Sequence, residues 1–425
     1  MTDLLIRGAD LIGRGRSDLL IRNGRFVDPA DAGGDVEQLD ADGLVALPGL
    51  VDLHTHLREP GREDAETVDS GTLAAARGGF TAVLAMANTT PVTDTAEAAE
   101  HVAALGARDG HAQVVPVGAV SKGLDGVELA ELGLMSRSRA GVRMFSDDGH
   151  CVSDARLMRR ALEYVRAFDG VIAQHAQDPQ LAGPAACCHE GEISGKLGLP
   201  GWPGAAEASV VARDVQIAEL TRSRLHICHV SCAETVDVIR WAKQRDINVT
   251  AEVAPHHLML TTTEVLGYDP TYKVNPPLRP NEHVEAVQEA LADGTIDAVA
   301  TDHAPHARHD KEHAFAEAAF GMLGLETALA VVMETMINSG VLSWPELAKR
   351  MSIRPAHIAR LADQGRPLAE GEPANVVLVD PAARAVVDRA VSASLSRNNP
   401  WHGRELPDAV VATIWAGQVT YQKGQ

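Results

Sequence analysis

No run in the chain approaches the roughly 18 consecutive apolar residues that a membrane helix needs, so neither a membrane protein nor a membrane partner is expected. The opening segment, Met1-Thr2-Asp3-Leu4-Leu5-Ile6-Arg7, has neither the basic start nor the apolar stretch of a secretory signal, which points to the cytoplasm. Positive charge is also short. With 38 Lys and Arg against 58 Asp and Glu, the formal net charge is −20. A surface of that sign repels phosphate backbones, and no basic run offers a local exception, so nucleic acid is excluded as a partner. Cysteine is sparse: Cys151, Cys187, Cys188, Cys228 and Cys232 are an odd set with no repeated spacing, which fits reduced thiols in a reducing compartment. The stretch Cys228-His229-Val230-Ser231-Cys232 lacks the second Cys pair of a zinc knuckle and reads as buried thiols beside a strand. There is no Gly-x-Ser-x-Gly elbow, no glycine-rich phosphate loop, no internal repeat and no low-complexity tract, so serine-nucleophile and phosphate-loop chemistry have no footing.

What is present falls into two textures. Both ends of the chain carry short β-prone runs broken by Gly, Asp and Asn, such as Asp18 to Val27, Gly43 to Pro48, Ala374 to Asp380 and Ala409 to Gly417. The first set reads as a small antiparallel sheet, and both ends are expected to join in one β-sandwich, residues 1–49 plus 366–425. Between them, over 50–365, apolar runs of strand length alternate with Ala-, Leu- and Glu-rich amphipathic segments, the mark of βα units and a parallel sheet. About eight units can be counted, with strands expected at Leu50 to His54, Thr81 to Met86, Val114 to Val120, Gly141 to Phe145, Val171 to His175, Leu225 to His229, Asn248 to Val253 and Ile296 to Asp302. That count predicts an α/β fold, a (β/α)8 barrel carrying the small sandwich, and such barrels commonly run to about 250 residues or more as one domain.

The chemistry lies in where the apolar runs stop. They end on polar groups: Asp52-Leu53-His54-Thr55-His56, Ala87-Asn88, Ser146-Asp147-Asp148, Gln174-His175, Cys228-His229 and Thr301-Asp302. In a closed parallel barrel all C-terminal strand ends meet at one mouth, so residues far apart in sequence share one site. His54 and His56, two apart on an extended segment, point to the same side and can chelate one ion. A chain with 18 histidines throws up such pairs by chance, and a lone strand-end histidine is usually structural. His175, His229 and Asp302 at equivalent positions change that balance, because an apolar core has no use for four imidazoles in one place. Imidazole nitrogens and carboxylate oxygens suit Zn²⁺. Four histidines and two carboxylates suffice for one or two ions, with a binuclear site favoured and a metal-activated hydroxide as nucleophile.

These segments resemble those of class I dihydroorotases in the amidohydrolase superfamily, on Val51-Asp52-Leu53-His54-Thr55-His56-Leu57-Arg58-Glu59-Pro60-Gly61 and on blocks at Asn88, Asp148, His229, Glu252 to Leu258, Lys273 to Arg279, Thr301 to His306 and Phe320-Gly321. The resemblance covers essentially the whole chain. It implies reversible cyclisation of N-carbamoyl-L-aspartate to L-dihydroorotate, a step of pyrimidine biosynthesis. His54, His56 and Asp302 would hold one zinc and His175 and His229 the other, with Asp302 also the catalytic acid and base. Where many relatives bridge the metals with a carboxylated lysine this chain has Arg143, which cannot be carboxylated, so Asp148 is the expected bridge. Arg58, Asn88, Asn275 and His306, with the backbone of Phe320 and Gly321, are the implied substrate contacts, and residues 305–320 the implied mobile loop over the mouth. Gln177 stands where an acidic residue is frequent. Two alternatives stay open: another cyclic-amide hydrolase (dihydropyrimidinase, hydantoinase or allantoinase), disfavoured by Arg58, which suits a substrate carboxylate, and a non-catalytic subunit scaffolding aspartate transcarbamoylase, disfavoured by the intact ligand set. A homodimer and association with that transcarbamoylase are both compatible with the resemblance.

Overall fold

The computed structural model describes residues 3–34 and 36–424, so Met1 and Thr2 of the opening segment lie outside the described residues. Eight parallel strands follow one another in the middle of the chain: β6 Leu50–Thr55, β7 Phe80–Ala85, β8 Gln113–Pro116, β9 Met144–Phe145, β10 Val171–Gln174, β11 Arg224–Ile227, β12 Val249–Val253 and β13 Ala298–Val299, after β1 to β5 of the N-terminal segment. Each is followed by a helix: α1 Val68–Arg77, α2 Ala96–Asp109, α3 Leu132–Arg137, α4 Ala155–Val165, α5 Ala205–Thr221, α6 Ala233–Gln244, α7 Asn281–Asp293 and α8 Ala328–Val332. Pairing runs β6 to β8 and β9 to β13 in sequence order. Single parallel bridges, Gly118 to Phe145 and Thr55 to His303, close the ring. All eight barrel strands fall where the apolar runs placed them.

Alternate strand residues take different partners, as a pleated sheet demands. Val83, Ala85, Ile172, Leu225, Ile227, Val249 and Ala251 pack outward in the main core with helix residues such as Val102, Leu157, Val215, Ile239 and Leu291. Leu84, Met86, Val171, Ala173, Ala298 and Ala300 meet in a separate inner cluster. Burial on both faces is why these strands read as nearly continuous apolar runs.

The two ends of the chain share one sheet. β1 Leu4–Leu11, β2 Arg16–Arg22, β3 Arg25–Val27, β4 Glu37–Asp40 and β5 Val45–Pro48 join β14 Val376–Val379, β15 Val410–Trp415 and β16 Gln418–Gln422. Leu4, Ile6, Leu19, Ile21 and Phe26 from one end and Val376, Leu378, Ala412 and Ile414 from the other enclose a small core of their own. The opposite faces of β5 and β14, through Val45, Leu47, Val377 and Val379, pack onto the barrel. The N-terminal strands differ from the antiparallel expectation, because β1 pairs in parallel with β4 along Leu4 to Arg7 and with β5 along Asp10 and Leu11. Turn signals report only the local hairpins, β1 with β2 and β2 with β3, which are antiparallel. No helix among the described residues is long and apolar enough to cross a membrane.

Candidate active site

The strand ends deliver their polar residues to one buried cluster. Asp148, just beyond β9, lies at its centre. Its Oδ1 is 3.2 Å from His54 Nε2, 3.4 Å from His175 Nδ1 and 3.4 Å from His229 Nε2, while Oδ2 is 3.3 Å from His56 Nε2. Asp302 closes the other side, with Oδ1 3.3 Å from His56 Nε2 and 3.6 Å from His54 Nε2. None of these six side chains is more than 5% exposed as a residue. Three residues of this rim hold left-handed backbone, Arg58 at φ +61°, His229 at +33° and Asp302 at +47°. Such conformations cost a non-glycine residue on the order of 1 kcal/mol or more and collect at functional sites.

The hydrogen bonds around the cluster show what it is built to hold. Glu252 Oε1 accepts from His54 Nδ1 at 2.9 Å, Asn88 Oδ1 from His56 Nδ1 at 2.9 Å, and Gln177 Oε1 from His175 Nε2 at 3.1 Å. Each acceptor fixes the tautomer of its imidazole, so the other ring nitrogen turns a lone pair inward. Inside, partners are missing. His54 Nε2 and Asp148 Oδ1 are buried with no hydrogen bond of acceptable geometry. His175 Nδ1 and His229 Nε2 lie only 3.0 Å apart. Lone pairs and carboxylate oxygens converging without protons between them fit divalent cations, and His54, His56 and Asp148, with Asp148, His175 and His229, form two overlapping ligand groups. Among the protein groups alone, burial opposes charge on His54, yet Asp148 lifts its pKa well above the ordinary value. Burial likewise opposes ionisation of Asp148, and the ring of imidazoles, His54 foremost, still holds it well below the usual carboxylate range. Burial also disfavours the Asp302 carboxylate, and His56, His54 and His229 outweigh it, leaving its pKa depressed.

Arg143 is absent from these groups among the described residues. Its Nη1 donates to Ser136 O and Oγ, Gly141 O and Val142 O, at 2.7 to 3.2 Å, and not to the histidine and aspartate cluster. The five cysteines are free thiols, and Cys228 lies beside His54 and Glu252 rather than in a knuckle.

Arg58 stands beside the cluster. Its Nε donates to Pro305 O at 2.9 Å and its Nη2 lies 3.4 Å from His306 Nε2. No carboxylate forms an ion pair with it among the described residues. Burial lowers its pKa to about 10, which leaves it charged at neutral pH. His306 Nε2 also bonds Phe320 O at 2.6 Å, and burial followed by Arg58 pushes its pKa down to about 2, so the ring is neutral. Asn275 Nδ2 donates to Gln177 Oε1 at 2.7 Å while its Oδ1 is buried and unpaired. Gly321 N donates to Lys273 O, and Gly321 O accepts from Asn398 Nδ2 and Lys311 Nζ. Gly321 has φ +139°, and a Cβ there would come within 2.9 Å of His306 Nε2, so only glycine lets this backbone approach. Residues 305–320, expected as a mobile loop, are tied down in this structure: Lys311 Nζ donates to Ala319 O at 2.8 Å, Lys273 Nζ to Ala316 O at 2.8 Å, and Arg62 pairs with Asp310 at 2.6 Å.

The sequence reading assigned no role to Glu252 or to Gln177. Glu252 bonds both His54 and His226, whose Nε2 is 3.0 Å from Oε2. A Glu inside the apolar strand Val249–Val253 was the available signal.

Solved structures share this architecture. A dihydropyrimidinase from Brevibacillus agri superposes with a TM-score of 0.86 at 22% identity, covering 100% of this chain and 96% of that one. An L-hydantoinase from Arthrobacter aurescens gives 0.87 at 24%, covering 100% and 97%. These likenesses show a shared fold, a barrel carrying a small β domain. Residues 43–235 match the family model described as dihydro-orotase-like. The dihydroorotase of Streptomyces coelicolor is 57% identical over 100% of both chains, and that of Mycobacterium tuberculosis 52% identical over 99% of both. The chain belongs to the dihydroorotase family.

Proposed function

We propose that the chain is a dihydroorotase that interconverts N-carbamoyl-L-aspartate and L-dihydroorotate, with its site at the C-terminal rim of the barrel. The observation that carries the substrate is Arg58, a largely buried cation beside the metal ligands with no carboxylate of its own. A substrate that keeps a free carboxylate outside its ring supplies the missing partner as a two-point contact. Simple dihydropyrimidines and hydantoin offer none.

His54, His56 and Asp302 would hold one ion and His175 and His229 a second, with Asp148 between them. Zinc is the metal this reading assigns, from the nitrogen and carboxylate donors. When bound, the metal supplies Lewis acidity and an activated water. Asp302 is the acid and base: in ring closure its carboxylate takes the proton from the carbamoyl nitrogen as that nitrogen bonds to the side-chain carboxyl carbon, then passes it to the departing oxygen, which takes a second proton from solvent and leaves as water as the C–O bond breaks. In ring opening it takes a proton from the attacking water and gives it to the departing nitrogen as the C–N bond breaks. Arg58 and Asn275 orient the substrate, and His306, neutral and tied to Phe320 O, sets the outer wall with Gly321. Asn88 has a second task, since it holds the His56 ring. We further assign residues 50–365 to the catalytic barrel and 1–49 with 366–425 to the terminal β domain, a division supported by the latter's separate small core. Five free thiols support a reducing, cytoplasmic setting.

Incubating the zinc-loaded chain with dihydroorotate, hydantoin and allantoin tests the reading. Ring opening of dihydroorotate should exceed the others by at least about a hundredfold in kcat/KM, the size of one buried charge-assisted contact. Equal or better turnover of hydantoin would overturn it.

A further inference from the structure

The end of the barrel opposite the metal cluster carries a different kind of opening. A cleft of about 710 Å³ lies between the ends of α6 and α7, the start of β12 and a helical turn near residue 350. The chain as a whole carries a formal charge of −20. This cleft is an exception, lined by Lys243, Lys349, Arg350 and Arg354.

Of the three acids on the lining, Asp293 and Asp297 are already engaged and Asp246 is exposed. Asp297 is shared by Lys243 Nζ at 2.6 Å and Arg354 Nη2 at 2.5 Å. Asp293 is held by Arg240 Nη2 at 2.9 Å. Arg350 is left over. Only 6% of it is exposed, its Nε is buried without a partner, and its one contact is a long 3.5 Å approach of Nη2 to Ala292 O. Asp297, Glu346 and Asp293 act on it only through space, and Arg354 opposes them. Lys349 beside it is exposed and forms no ion pair among the described residues. A buried guanidinium without a counterion is a costly arrangement for a fold to keep.

The backbone points the same way. The helical segment Trp344–Ala359 widens into a π-turn over Lys349–Ile353, and π-turns inside α-helices are frequent at functional sites. Opposite, Gly294 has φ +90°, and a Cβ there would sit 3.1 Å from Arg350 Nη2. Glycine keeps the approach to the guanidinium open.

We propose that this cleft binds a phosphorylated small molecule, its phosphate held by Arg350 and Lys349. A planar guanidinium with free donors matches phosphate oxygens in pairs, and the volume is in the range of small-ligand sites. Exposed Asp246 and Asn248, also on the lining, offer acceptors and a donor to the hydroxyls of the rest of the molecule.

The test is thermal unfolding of the zinc-loaded chain in rising inorganic phosphate, AMP or adenosine, with chloride keeping ionic strength constant. Phosphate and AMP should raise the midpoint through binding to the native state, and adenosine should not. In Lys349→Glu and Arg350→Met the apparent Kd for phosphate and AMP should weaken by about tenfold or more, with ring-opening activity unchanged in the absence of phosphate. Arg350→Met should also unfold no earlier than the parent without ligand, because it removes an uncompensated charge. If Arg350→Met does not fold, the exposed substitution Lys349→Glu decides alone. A midpoint indifferent to phosphate, an equal rise with adenosine, or an undiminished rise in the variants, which would place the anion on the metals, would each overturn the proposal.

Discussion

The two ends of the barrel gather buried polar groups of opposite character. At the C-terminal rim, carboxylates and imidazole lone pairs face inward, and His54 Nε2 and Asp148 Oδ1 have no hydrogen-bond partner. At the N-terminal end, the atom without a hydrogen-bond partner is Arg350 Nε, on a cation. The same eight strands support both, because strand ends and loops carry the polar groups while the body of each strand is fixed by packing. The character of the buried groups, rather than the size of the opening, separates the two. The N-terminal cleft is spacious and cannot do the rim's chemistry, since among the described residues its lining holds no imidazole and no pair of free carboxylates.

Substitutions that touch one end should leave the other intact. The largest effect is expected from Asp302→Asn, which removes the proton carrier and should lower kcat about a thousandfold or more while bound metal, measured by elemental analysis, stays at one ion or above. Turnover within tenfold of the parent would take that role from Asp302. Arg58→Met comes next, with a loss of about a hundredfold in kcat/KM for dihydroorotate and little change for hydantoin; equal losses on both would mean that Arg58 supports the fold rather than a substrate carboxylate. Glu252→Gln should weaken metal binding by about ten- to a hundredfold in competition with a chelator, because the amide can no longer serve His54 and His226 together as an anion. Lys349→Glu in the same assay should match the parent.

The smallest contrast lies in pH. Burial pushes the His256 pKa down to about 4 in the folded chain, whereas an exposed histidine titrates near 6.5. The ring stays neutral when folded and takes up a proton when unfolded, so its contribution to stability is intact above about pH 6.5 and is lost as pH falls toward 4. One such group accounts for at most about 3 kcal/mol over that window. His256→Asn should flatten the acid limb of a denaturant-derived stability profile. Arg350→Met, at the N-terminal cleft, should leave its slope unchanged.

Much of the rim was legible before any coordinates, and the reason is specific. A strand buried on both faces tolerates few polar residues, so His54, His175, His229 and Asp302 stand out where apolar runs stop. Glu252 and His226 were harder because they lie within strands, where only the three-dimensional pairing of β11 with β12 shows that they satisfy one another. Gln177 shows its purpose only once Asn275 comes across to it. The parallel pairing of β1 with β4 and β5 was invisible for a related reason: composition marks strands and turns, while nonlocal partners depend on how the chain returns. The N-terminal cleft has no signature in the sequence, since it is made from the ends of α6 and α7 and a π-turn that no local pattern announces.

The shared terminal sheet also bears on how the chain is made. β5 finds its partner on one edge only in β14, where Pro48 lies opposite Val376. On the ribosome that strand emerges only after the barrel strands, so β5 must wait through synthesis of the entire barrel with open backbone donors and acceptors. Stalled or C-terminally shortened chains would leave this apolar edge uncovered, a ready template for association with other chains.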